Sequence, residues 1–437
     1  MQRIEHLTIA PVARASGTVV LPGSKSISNR ALLIAALAQG KTTLQGLLRA
    51  DDTERMLESL EKLGIDVSFS NDTQVCVSGC AGKVPVKNAE LFIGNAGTAA
   101  RTLTALLAFA GGTYRLDGIQ RMRERPIADL LAALRSMGAK ITCECQEGFL
   151  PLRFEPASCL GNRVSVRGNV SSQYLTALLM LAPVVAKEQG LQIDIEGELI
   201  SRPYVEMTTR MMRDFGIELE ETESGYWVHP GVYRSKDFYC VEADASGASY
   251  FLALGALTGG PVTVQGVGAG SMQGDVAFAD ALQEMGATVV KTSDSITVCR
   301  KPDQILRGIT LDCTRIPDAA MTFVPMALMS DGPVHLTGIA SWRVKETDRL
   351  AAMAREMRKF GAQVQEGADY IVVNKPMQKA LRGAVVDTYD DHRMAMSLAL
   401  AACAGVEVTI NDPGCTAKTY PNYFNEFLRL TQSSESN

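Results

Sequence analysis

Two hydrophobic patterns alternate along the chain, and each returns at intervals of roughly 70 to 78 residues, the mark of a repeated supersecondary unit. The first is a helix-spaced stretch ending in an apolar residue and a glycine, then a short β-branched run. It reads LEKLGIDV at Gly64, LRSMGAKI at Gly138, MRDFGIEL at Gly216, LQEMGATV at Gly286 and MRKFGAQV at Gly361. Glycine after the last apolar turn is the usual helix stop, and the run after it is predicted to be a strand. A sixth copy reduces to a helix alone, NYFNEFLRL, near the end of the chain.

The second pattern is a Ser, Thr or Asp followed by a helix that is small and apolar on nearly every face. Its copies are SNRALLIAALAQG after Ser26, TAARTLTALLAFAGG from Thr98 and SSQYLTALLMLAP from Ser171. Three more follow: SGASYFLALGALTGG from Ser246, DAAMTFVPMALMSDG from Asp318 and DHRMAMSLALAACAG from Asp391. A helix apolar all round is a buried helix. Each unit is therefore predicted to supply one core helix, outer strands and an amphipathic second helix.

Six such α/β units in 437 residues predict two similar domains of three pseudo-symmetric units, with buried core helices and outer sheets. The N-terminal domain is expected to span 23–242. The other is expected to combine 1–22 with 243–437, because the strand TVVLPG precedes the first unit. Hinges then fall near 20–24 and 240–245, and an interdomain cleft is the expected ligand site.

Composition narrows the function classes. The chain is 46% hydrophobic and 21% charged with a net charge of -5, so nothing global attracts nucleic acid or an anionic membrane. No apolar run is long enough to span a bilayer, and MQRIEHLTIAPVARASG lacks the apolar stretch of a signal peptide. Ten scattered cysteines include only two close pairs, Cys76/Cys80 and Cys143/Cys145, neither spaced as CxxC. Four dispersed histidines add no metal site. The reading is a cytoplasmic monomer with reduced thiols and no metal.

The core-helix starts hold the unusual residues: GSKSISNR (23–30), GNAGTAAR (94–101), SSQ (171–173), DASGAS (244–249), IPDAA (316–320) and YDDHR (389–393). A helix N-terminus attracts phosphate or carboxylate. Ser, Thr and Asp there serve equally as caps, the reading favoured for DASGAS. Elsewhere Lys25, Arg30, Asn95, Gln173, His392 and Arg393 add groups that capping does not need. RMRERP (121–126), WRVKETDR (342–349) and Lys418 in CTAKTYP supply further charge. GSKS lacks the spacing of a nucleotide-kinase phosphate loop.

LPGSKSISNR, LFIGNAGTA, RMRERPI, SSQYLTALLM, IPDAAMT, WRVKETDRL, YDDHRMAM and CTAKTYP, in this order, resemble the signature stretches of the 5-enolpyruvylshikimate-3-phosphate synthase family over essentially the whole chain. The resemblance is to the form shared by many Gram-negative bacteria and plants. It implies transfer of the enolpyruvyl group of phosphoenolpyruvate to the 5-hydroxyl of shikimate 3-phosphate by addition–elimination, without a cofactor. Shikimate 3-phosphate would meet Lys25, Ser26, Arg30, Ser171, Ser172, Gln173, Ser201, Tyr204, Asp318, Ser341 and Lys345. Phosphoenolpyruvate would meet Lys25, Asn95, Gly97, Arg125, Gln173, Arg349, Arg393 and Lys418. Asp318 would act at the hydroxyl and Glu346 at the methylene carbon, with Lys25 and Lys418 assisting.

Two departures stand out from that pattern. GTAARTL replaces the family's usual GTAMRPL, placing Ala100 and Thr102 beside the phosphoenolpyruvate end. Proline's loss restores an N–H and loosens the first helical turns, so weakened inhibition by the herbicide glyphosate is expected. Ser341 stands where some bacterial members carry Asn. Among rivals, the related transferase acting on a UDP-sugar carries a reactive cysteine in the loop matching 115–126, where this chain has none. A non-catalytic binding module or a purely structural repeat protein would not need the acid–base residues or the cations.

Overall fold

The computed structural model describes residues 5–186, 188–376 and 380–432. The first four residues of the N-terminal stretch lie outside them. The chain divides into two compact units, Gly23–Val241 and Met1–Pro22 with Glu242–Asn437.

Within Gly23–Val241, three four-stranded sheets repeat one topology. The first orders Phe238–Cys240, Gln39–Gln45, Gln74–Cys80 and Asp66–Asn71. Its outermost pair is parallel and the other two pairs are antiparallel. Asn88–Phe92, Thr113–Asp117, Leu152–Glu155 and Lys140–Cys143 repeat that order, as do Arg163–Arg167, Leu191–Glu196, Gly225–Val228 and Leu219–Thr222. Core helices Lys25–Leu37, Gly97–Phe109 and Ser172–Val185 are buried on nearly every face, as their uniform apolar composition requires. Each fully buried leucine in them contributes about 1.5–3 kcal/mol. Helices Asp51–Lys62, Ala128–Ser136 and Arg202–Asp214 instead bury a single stripe.

The second unit follows the same plan. Gly17–Val20 runs parallel to Val262–Gln265, with Gly17 opposite Val262 and Val20 opposite Gln265. The N-terminal strand thus completes a sheet of the C-terminal half. The sixth sheet has three strands, Ala384–Val386, Val408–Asn411 and His6–Ile9. The sixth repeat's helix is Tyr423–Gln432. All five repeat glycines adopt positive φ, from 83° to 108°, conformations that only glycine adopts without strain.

One expectation needs correction. DAAMTFVPMALMSDG does not form a long helix: a 3₁₀ turn, Ala319–Thr322, passes into a four-residue helix, Phe323–Met326. Pro325 explains the break, since it cannot donate to Met321 and its ring crowds that carbonyl. The segment is still buried, so its place in the core is retained. No helix among the described residues is long and apolar enough to cross a membrane.

Candidate active-site clusters

In the unit containing Asp318, three segments distant in sequence converge on a buried charge cluster. Asp318 precedes the 3₁₀ turn but makes no capping hydrogen bond. Its Oδ1 lies 3.1 Å from Arg349 and 3.6 Å from Lys345 Nζ, and its Oδ2 accepts from Arg393 at 3.1 Å. Arg349, 1% exposed, also donates to Glu346 Oε2 at 2.9 Å and to Asp391 at 2.7 and 3.3 Å. Glu346 reaches Arg349 because it lies three residues before it, Arg349 being the first residue of Arg349–Lys359.

Burial alone would weaken the Arg349 cation. Asp391, Glu346 and Asp318 together outweigh it and hold its pKa above the ordinary value. Arg393 donates its second arm to the Tyr250 hydroxyl at 3.2 Å, and burial pushes that phenol up to about 12. Sequence reasoning picked out Asp318, Lys345, Glu346, Arg349 and Arg393, and the structure links them in one cluster through Asp318 and Arg349. It missed Asp391 as a charge partner, because an Asp before a helix reads as a cap. Asp391 does cap His392–Ala399, accepting from Arg393 N at 2.9 Å.

Asp275 was missed altogether. It is 5% exposed and accepts from the Ser246 hydroxyl. Burial first, then the nearby Asp318 carboxylate, raises it to about 6. Ser246 follows Asp244, which caps Ala245–Thr258 as read from DASGAS. Lys418 is buried at the end of the turn Pro413–Lys418, and Ser341 is half-buried within Ala340–Val344.

The other unit holds three groupings. Lys25 opens the first core helix behind the cap Ser24, its Nζ 3.3 Å from Asp52 Oδ2. Arg30, one turn on, is 2% exposed; it bonds Thr208 Oγ1 at 2.8 Å, the Ser26 carbonyl at 3.0 Å and the Tyr204 carbonyl at 3.5 Å. Burial lowers Arg30 to about 10, so it remains a cation at neutral pH. Arg125 donates to Asn95 O and Oδ1 at 3.2 and 3.1 Å. A Cβ on Gly97 would sit 2.4 Å from Arg125 Nη2, so this close approach requires glycine.

Ser171 caps the third core helix by accepting from Gln173 N, and Ser172 is its first residue. Ser201 precedes Arg202–Asp214 in the left-handed conformation, φ 54°. Thr102 donates to the Thr98 carbonyl at 2.9 Å. Taken by themselves, these groups offer cations, hydroxyls and a helix start without a side-chain cap at Gly97, a set suited to anionic, oxygen-rich ligands.

The sequence profile of the family EPSP synthase (3-phosphoshikimate 1-carboxyvinyltransferase) matches residues 9–427. A 3-phosphoshikimate 1-carboxyvinyltransferase of Cupriavidus taiwanensis is 53% identical over 436 residues, covering 98% of this chain and 100% of that one. One of Cellvibrio japonicus is 54% identical over 430 residues with the same coverage. Among solved structures, an EPSP synthase from Acinetobacter baumannii superposes with TM-score 0.78 at 24% identity, covering 98% of each chain. The enolpyruvyl transferase NikO from Streptomyces tendae does so at 0.76 and 17%, covering 98% of this chain and 97% of its own. The two structural likenesses speak for the fold, and the full-length relatives above half identity speak for descent: the chain belongs to the EPSP synthase family.

Proposed function

We propose that this chain transfers the enolpyruvyl group of phosphoenolpyruvate to the 5-hydroxyl of shikimate 3-phosphate and releases phosphate. The observation that carries the reading is Asp318, one carboxylate bonded by Arg349, Lys345 and Arg393 beside the arginine-held Glu346. Ser171, Ser172, Ser201 and Lys345 hold the shikimate phosphate, and Gln173 and Ser341 add polar contacts. Arg30 takes the ring carboxylate, and Ser26 and Tyr204 the ring groups. Lys25, Asn95, Gly97, Arg125, Arg349, Arg393 and Lys418 surround phosphoenolpyruvate.

The reaction must remove a proton from the attacking hydroxyl and add one to the methylene carbon. Addition gives a tetrahedral intermediate; its collapse expels phosphate, returns the methylene proton and restores the double bond. Two acids in different settings divide these transfers, Asp318 at oxygen and Glu346 at carbon. An anionic substrate that draws Arg349 and Arg393 toward itself leaves Asp318 with fewer cations, which raises its basicity where a base is needed. Lys25 and Lys418 offset charge on the intermediate. The protein is proposed to work as a cytoplasmic monomer.

Phosphate release from the purified protein tests the reading. Release is expected only when both substrates are present, and none with both would overturn it. Asp318→Ala is expected to cut turnover by about 10²-fold or more.

A further inference from the structure

Arg125 reaches its position through a backbone that is held unusually firmly one peptide further on. The short helix Gln120–Glu124 ends as Arg125 turns to extended backbone, φ -83° and ψ 125°, the conformation that a following proline imposes. The Pro126 carbonyl then accepts two hydrogen bonds: from Arg101 Nη2 at 2.8 Å and from the Tyr174 hydroxyl at 2.7 Å. Arg101 also reaches Met122 Sδ with Nη1 at 3.2 Å, so one guanidinium spans both sides of the turn. Tyr174 is 1% exposed, and burial raises its phenol, which keeps it a neutral donor.

Nothing in the proposed chemistry uses Arg101 or Tyr174, yet both bond the carbonyl of the residue that follows Arg125. Tyr174 is also the third residue of the helix that begins Ser172–Gln173, so its hydroxyl ties the start of that helix to the arginine turn. We infer that Tyr174, together with Arg101, is a positioning residue for Arg125, fixing the guanidinium against Asn95 and Gly97 by clamping the Pro126 carbonyl. With Arg125 packed so closely on Gly97, small shifts of the turn move the guanidinium away from its ligand, and placement errors of a fraction of an ångström are felt in binding and rate.

The inference rests on Arg125 binding phosphoenolpyruvate, as proposed above. Tyr174→Phe removes one oxygen from the clamp and nothing else. The expected result is a rise of about fivefold or more in KM for phosphoenolpyruvate, with kcat and KM for shikimate 3-phosphate within about twofold of the unaltered protein. Arg101→Lys keeps the charge but cannot span Met122 and Pro126 with one fork, and is expected to show the same selective rise. It decides the matter if the phenylalanine variant does not fold. A lowered melting temperature with both KM values unchanged, or an equal rise in both, would overturn the inference. An unaltered protein that releases no phosphate would take the functional reading down first, and this inference with it.

Discussion

Replacing Asp391 by asparagine tests whether charge holds the cluster around Arg349. That guanidinium is 1% exposed and donates to Asp391 at 2.7 and 3.3 Å, Glu346 at 2.9 Å and Asp318 at 3.1 Å. Asparagine keeps the shape and one acceptor oxygen, so the cap on Arg393 N survives. It removes one negative charge beside a cation that does not surrender its proton. Breaking one partner of a buried pair costs about 3–5 kcal/mol. Two carboxylates stay in contact with Arg349, which argues for the lower end, about 3 kcal/mol. In a unit of this size each kcal/mol lowers the midpoint by roughly 2–4 °C, so a drop of roughly 6–12 °C is expected. Asp280 supplies the control: it meets Lys291 at 2.6 Å with 60% of its side chain exposed, and Asp280→Asn should cost about 1 kcal/mol or less. Calorimetry of the three proteins at one pH and ionic strength would compare them, and it would show whether only one of the two units loses stability. Equal shifts for the two variants would refute the reasoning, because burial would then have added nothing to the Asp391–Arg349 pair.

Three further outcomes follow from particular contacts. Gly97→Ala puts a methyl group 2.4 Å from Arg125 Nη2; KM for phosphoenolpyruvate should rise by about tenfold or more while shikimate 3-phosphate binding is little changed, and unchanged kinetics would count against Arg125 as a ligand of phosphoenolpyruvate. Asp275→Asn probes a carboxyl held at about 6 against an ordinary 3.8: its stabilisation is fully present below about pH 4 and is lost as the pH rises through 6, up to about 3 kcal/mol. Urea titrations across that range should therefore show the variant gaining on the unaltered protein as pH rises, and parallel profiles would reject a raised Asp275. Thr102→Pro deletes the hydroxyl bonded to Thr98 and presses the proline ring on the same carbonyl; tighter inhibition by glyphosate is expected, and superimposable inhibition curves would disconnect position 102 from the Gly97 end of the helix.

How much could be read in advance depended on how local each feature is. Gly64, Gly138, Gly216, Gly286 and Gly361 announce helix ends because the left-handed turn is a property of one residue. The six buried segments announce core helices because a face without polar groups cannot meet water. Pro325 carried an equally local signal, and the repeat pattern overrode it: expecting six equal helices hid a proline able to break one of them. The cations were legible for a similar reason, since Arg393 at the start of a fully buried helix needs a charged partner, a ligand or both.

The acids that balance those cations were harder to read, and the reason is physical. Asp391 accepts from Arg393 N and from Arg349 with the same carboxylate, so the cap visible in the sequence conceals the ion pair made 42 residues away. Asp275 gave even less sign of itself. It lies in a 3₁₀ turn, and its importance comes from the Ser246 hydroxyl and the Asp318 charge, brought near by separate segments. Tyr174 is hidden in the same way within an apolar helix, where its hydroxyl reads as one more buried phenol until Pro126 is found at its end. Residues that touch a ligand are constrained by the ligand's chemistry and so betray it. Residues that hold them in place are constrained only by a distance across the fold, which is why the supporting layer of this site had to come from the structure.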